Sequence, residues 1–393
     1  MRAETNYKWL RTVLALCLLL PAGRCAGELE ACSEDYTDWK VLAEFRIAKN
    51  GDPIFLPVIF KGKEHLFLLD TGCSHTVFDV SFRHELGDAK RTETGFTRGG
   101  PIMLELFAAP EAFLGPVNMR GCEEVLCADL KMLSLIAGTK VSGIIGMNFL
   151  KEYAIQIDFD KGILSILELV EKPNAHWGKE MVINYHRLGI PQITGNIGGS
   201  IKVDFFVDTG DNTTGALERR VFERVLAEKI TKTSETLFAT ASGIVRSKEA
   251  RIDRFSTGSF EYEHLILSES NVSALGMLFL SRHLVTFDFP NSRIYLKKGE
   301  EFEKADETDM SGLHLLCISN KTIVHSVDKE SPAEKAGIKA KDVIIKVGNK
   351  DVNTYNMWRL RRILMSEDKR KITMAIKRGN DVKEVSFLLE KKI

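Results

Sequence analysis

Pro53 to Asp70 reads PIFLPVIFKGKEHLFLLD and runs into Thr71-Gly72; Pro191 to Asp208 reads PQITGNIGGSIKVDFFVD and runs into Thr209-Gly210. In both, 17 steps separate Pro from Asp, and an apolar run carries the chain into Asp-Thr-Gly. Each stretch is expected to form strand, Gly-containing turn, strand. A second pair of blocks closes each unit. GMNFLKEYAIQIDFDKGILSI begins at Gly146 and GMLFLSRHLVTFDFPNSRIYL at Gly276, and they align without a gap. The opening blocks are offset by 138 residues and the closing blocks by 130. The first unit therefore carries about eight extra residues, expected around Cys122–Cys127. Two copies of one mainly β unit account for residues 40 to 300.

Two carboxylates brought together from two such units behave as a coupled pair. Like charges a few ångströms apart do not both ionise cheaply, so the pair holds one proton over a wide pH range. The charged member can take a proton from water while the neutral one donates to a carbonyl oxygen. That chemistry hydrolyses a peptide bond without metal, cofactor or nucleophilic side chain.

The doubled unit resembles the aspartic proteases of the pepsin/retropepsin clan, whose mark is an apolar strand into Asp-Thr-Gly and, later, two apolar residues and Gly. Here those triplets are Ile144-Ile145-Gly146 and Ala274-Leu275-Gly276. The resemblance implies a mainly β fold of two retropepsin-like lobes, at 40–172 and 173–300. It makes Asp70 and Asp208 the catalytic pair, supported by Thr71, Gly72, Thr209 and Gly210. Where that family has a hydroxyl or small residue after Asp-Thr-Gly, this chain has Cys73 and Asp211. An ionised Asp211 is expected to raise the pair's apparent pKa values; the other outcome is that it turns out to water. Gly95–Gly100 and Thr240–Gly243 are the candidate flaps.

Residues 301–308 are charged and polar and read as a linker. Beyond them, Ser331–Val352 reads SPAEKAGIKAKDVIIKVGNKDV. Ser331-Pro332 opens a short helix, Gly337 ends it and Asp342–Ile345 starts a strand. Met357–Met365 is an amphipathic helix, followed by two strands across Lys371–Leu389. The segment 309–393 resembles a PDZ domain of the bacterial protease-associated type. The resemblance implies capture of an extended peptide, with its C-terminal carboxylate at the loop Gly312, Leu313, His314 and Leu315.

With 54 Lys+Arg against 54 Asp+Glu in 393 residues, no electrostatic footprint for nucleic acid exists. Arg2, Lys8 and Arg11 precede a short apolar run, Val13–Leu20, too brief to span a bilayer. Residues 1–27 therefore read as a signal peptide, and the mature chain as exported, secreted or periplasmic, without a membrane span. Five cysteines remain after it, an odd and sparse set that is no disulfide scaffold; a Cys122–Cys127 bridge stays open. No metal site is expected. Gly195–Gly199 mimics a serine-protease motif, but Ile197 stands where the nucleophile belongs. The expectation is a monomeric endopeptidase acting on peptide or protein substrates. Its rival is a catalytically silent peptide-binding protein of the same fold.

Overall fold

The computed structural model describes residues 40–168, 175–228, 232–354 and 356–393; the expected leader, Cys32 and the boundary between 172 and 173 lie outside these. The apolar runs flanking each Asp-Thr-Gly form central strands. In the first lobe Gly143–Ile145 pairs in parallel with Lys63–Leu69 and antiparallel with Val77–Asp79. In the second, Ala274–Leu275 lies in parallel beside Ile201–Val207 and antiparallel beside Gly215–Glu218. The same inserted-strand pattern thus holds both Asp loops. Asp70 N–H donates to Ile145 O at 3.0 Å, and Asp208 N–H to Leu275 O at 2.9 Å.

A six-stranded sheet joins the lobes, in the order Val41–Arg46, Ile163–Leu167, Ala154–Asp158, His283–Asp288, Arg293–Lys298, Lys179–Val182. Three strands come from each lobe, and the two middle ones pair antiparallel from Ala154↔Asp288 to Asp158↔Leu284. A continuous apolar core runs through both lobes. Phe60, Phe67 and Phe78 meet edge to face in the first, and Phe205, Phe255 and Phe279 in the second. Each such buried ring stabilises the fold by about 2–3 kcal/mol.

The extra residues of the first lobe are not at Cys122–Cys127. Both cysteines are free and buried, and Cys122 Sγ donates to Met119 O. The surplus lies in the next connection: residues 129–142 join the strands Glu124–Ala128 and Gly143–Ile145, whereas 271–273 suffice in the second lobe, and the longer hairpin 233–257 of the second lobe offsets part of it. That insertion carries the helix Lys131–Ala137. Gap placement between two remote repeats is free wherever no residue matches, so the alignment could not locate it.

The segment 301–308 is not a free linker either. Phe302 and Asp306 are buried. Asp306 pairs with the buried Arg282 and accepts from Ile266 N–H at 2.8 Å. Composition counted its charges but could not see the cation that waits for one of them.

The last domain is a strand sheet in the order Leu313–Ile318, Lys321–Val327, Val343–Val347, Lys371–Arg378, Asp381–Leu388. Ser331 caps the helix Pro332–Lys335 by accepting from Glu334 N–H at 3.2 Å. Helix Met357–Leu364 buries Met357, Leu360 and Leu364 in this domain's own core. Its Trp358, with Leu316, instead packs against Leu130, Ile136 and Ala137 of the first-lobe insertion. Arg362 pairs with Asp52 beside this contact. No helix among the described residues is long and apolar enough to cross a membrane.

Candidate active site

Asp70 and Asp208 lie at the ends of Lys63–Leu69 and Ile201–Val207, and their carboxyl groups are close enough to couple electrostatically. The threonines lock the two loops together. Thr71 N–H donates to Thr209 Oγ1, and Thr209 N–H to Thr71 Oγ1, both at 3.0 Å. Each hydroxyl then donates across the lobe boundary, Thr71 to Val207 O and Thr209 to Leu69 O. Gly72 and Gly210 are needed for closeness. A Cβ on Gly72 would stand 2.5 Å from the Asp208 carboxyl carbon, and one on Gly210 2.4 Å from that of Asp70.

Burial pushes the Asp70 carboxyl well above the usual range, and the neighbouring Asp208 pushes it further. Burial also raises Asp208; there Arg98 pulls down while Asp211 pushes up. Cys73 stays a neutral thiol, since burial and then Asp70 raise it far above its ordinary value. Its Sγ faces His75 O.

Both candidate flaps are hairpin tips. Arg91–Thr97 pairs with Gly100–Ala108, and Thr233–Thr240 with Gly243–Thr257. The tips meet: Thr97 Oγ1 and Ser242 Oγ are 2.6 Å apart. From the first tip Arg98 reaches the site, donating from Nη1 to Asp211 Oδ2 at 2.8 Å and from Nη2 to Asp208 Oδ2 at 3.3 Å.

Asp211 does not turn out to water. Its side chain is 5% exposed, and its Oδ1 accepts from Thr213 N–H and Oγ1. The expected electrostatic influence on Asp208 is present, but it comes with a cation that sequence reading missed. The available signal was Arg98 itself, a lone cation in a Gly-rich turn, together with an Asp that needed a partner once buried.

At the C-terminal domain, Gly312, Leu313, His314 and Leu315 do lie where the loop enters the first strand. Their backbone is already engaged. Asp309 Oδ1 accepts from Ser311 N–H at 2.9 Å and Gly312 N–H at 2.7 Å, while Leu313 N–H donates to Ser311 Oγ at 3.1 Å. Leu315 O accepts from Arg361, and His314 Nε2 lies 2.7 Å from Asp328 Oδ1. A peptide carboxylate would have to displace Asp309 to use these donors.

A comparison with curated proteins finds no match. Residues 56–149 match a family model described as aspartyl protease, and residues 323–378 one described as PDZ domain. The first match spans the strands and loop that carry Asp70; the pairing around Asp208 follows the same construction. The chain carries an aspartyl protease domain of the pepsin/retropepsin-like kind, followed by a PDZ domain.

Proposed function

We propose that this protein is an exported aspartic-type endopeptidase. Asp70 and Asp208 share one proton and activate water against a peptide bond, and the PDZ domain engages peptide or protein segments. The observation that carries this reading is the pair of partly buried carboxyls, one per lobe, each pressed against the glycine of the opposite loop and braced by reciprocal threonine bonds. Water attacks the carbonyl carbon as one carboxylate takes its proton and the other carboxyl protonates the carbonyl oxygen. Collapse returns a proton to the amide nitrogen as the C–N bond breaks, and the second carboxylate recovers its proton from the hydroxyl. Nothing else is consumed.

The test is cleavage of a random peptide library from about pH 3 to about pH 8 by the full chain, with and without a statine-type inhibitor. Cleavage that the inhibitor blocks, and that Asp70→Asn or Asp208→Asn abolishes with melting unchanged, supports the proposal. Near-wild-type turnover in either variant would end it. Inhibitor binding without cleavage at any pH would favour the second reading, a silent peptide-binding cleft, for which the Arg98 contact to Asp208 speaks.

A further inference from the structure

The two Asp loops match in backbone but not in what their carboxylates receive. Asp208 Oδ1 accepts from Gly210 N–H at 2.9 Å and Asp211 N–H at 3.2 Å, and Oδ2 accepts from the Arg98 guanidinium at 3.3 Å. Asp70 Oδ1 accepts from Gly72 N–H at 2.8 Å. At the position matching Asp211, Cys73 donates its thiol to His75 O. The Arg98 contact traces to this pair of residues. Asp211, held by Thr213, seats Arg98 where its second nitrogen reaches Asp208. The seat exists when the first flap is down, since Arg98 sits between Thr97 and Gly99 at its tip.

We propose that Arg98 is a positioning residue: delivered by the closed flap and held by Asp211, it keeps the negative charge of the pair on Asp208 and leaves the shared proton on Asp70. This rests on the acid–base reading above and deepens it. Asp208 is then the group that deprotonates water, and Asp70 the one that protonates the carbonyl oxygen. An opened flap carries the cation away, so the proton affinity of the pair rises with opening. The charged and titratable groups facing the pair are Arg98 from the flap, Asp211 from the second loop and the Cys73 thiol from the first. The direction of the perturbations agrees: Asp70 is pushed well up, while Arg98 opposes the rise at Asp208.

The test is a carbon-13 titration of aspartate carboxyls in the full mature chain, with cleavage rates followed in parallel. In the wild type Asp208 should ionise at lower pH than Asp70. Arg98→Gln and Arg98→Met, the second keeping the packing of the stem, should both raise the Asp208 midpoint by about one pH unit or more, a tenfold or greater rise in proton affinity. Arg98→Lys should keep the order of ionisation. The double variant Arg98→Gln/Asp211→Asn, which loses one charge of each sign, should return the midpoint toward the wild type. Unchanged carboxyl titration in Arg98→Gln and Arg98→Met would overturn the proposal. So would a faster rate at every pH with no displaced limb, the mark of a residue that merely blocks the cleft. An Arg98-dependent titration in a chain that cleaves nothing would uphold the proton placement and refute the hydrolytic reading.

Discussion

Thr71 and Thr209 bond each other reciprocally, backbone N–H to hydroxyl at 3.0 Å in both directions, and neither is more than 2% exposed. Four polar groups of the lobe boundary are satisfied by two side chains, because each hydroxyl also donates to the opposite strand. Thr209→Val keeps the shape and strands two of them, Thr71 N–H and Leu69 O. An unpaired buried group costs about 1–3 kcal/mol, so urea unfolding should register a loss of about 2–6 kcal/mol. Thr209→Ser should recover most of it. A Val variant as stable as the wild type would mean the bonds contribute little beyond packing.

Gly72 and Gly210 press against the opposite carboxyls, so a single methyl group there separates the pair. Gly72→Ala would place its Cβ within 2.5 Å of the Asp208 carboxyl carbon, and the loops must move apart. Displacement of a reacting group by about 1 Å costs on the order of a hundredfold in rate. Cleavage by Gly72→Ala and Gly210→Ala should therefore fall at least that far, and the loss should be similar for both. A large loss in one and none in the other would break the near-symmetry on which the argument stands.

Local signals carried most of the fold. Apolar runs into Asp-Thr-Gly announced the inserted-strand loops, and Ser331-Pro332 with Gly337 marked a helix that does form there. What stayed hidden was partnership between distant residues. Arg98 is 113 residues from Asp211 in the chain, and nothing in its Gly-rich turn says that the hairpin folds down onto the second lobe. Asp306 read as one charge of a polar linker for the same reason, its partner Arg282 lying 24 residues back in the chain. The insertion was seen as a length difference, but its place depended on which strands paired.

That insertion now has a definite neighbour. Gly138 ends the helix Lys131–Ala137 at φ 72°, and a Cβ there would stand 2.5 Å from Met357 Cγ of the PDZ helix. Gly138→Val adds strain at positive φ and drives the insertion off Met357 and Trp358. The PDZ domain should then detach before the lobes unfold. Limited proteolysis should cut within 303–309 faster than in the wild type, while lobe-core amides keep their exchange protection. Unaltered cutting there would show that the contact does not hold the domain.

Glu249 offers a pH-dependent handle on the same boundary. It lies on the strand Gly243–Thr257, and burial pushes it up to about 7 from its ordinary 4.5. Lys392 and His314 pull it down, while Asp309 and Asp328 push it up, so its surroundings belong to the PDZ loop region. A carboxyl that binds its proton more tightly when folded stabilises the fold fully below about pH 4.5. That contribution is lost as pH rises through about 7. The difference corresponds to about 3 kcal/mol. Glu249→Gln imitates the protonated form, so its urea midpoint should match the wild type near pH 4 and exceed it near pH 8. His283 titrates in the opposite sense, burial lowering it to about 3. It is common to both proteins and cancels in the difference. Parallel stability curves for the two would mean that Glu249 finds water or a countercharge in the folded chain at high pH.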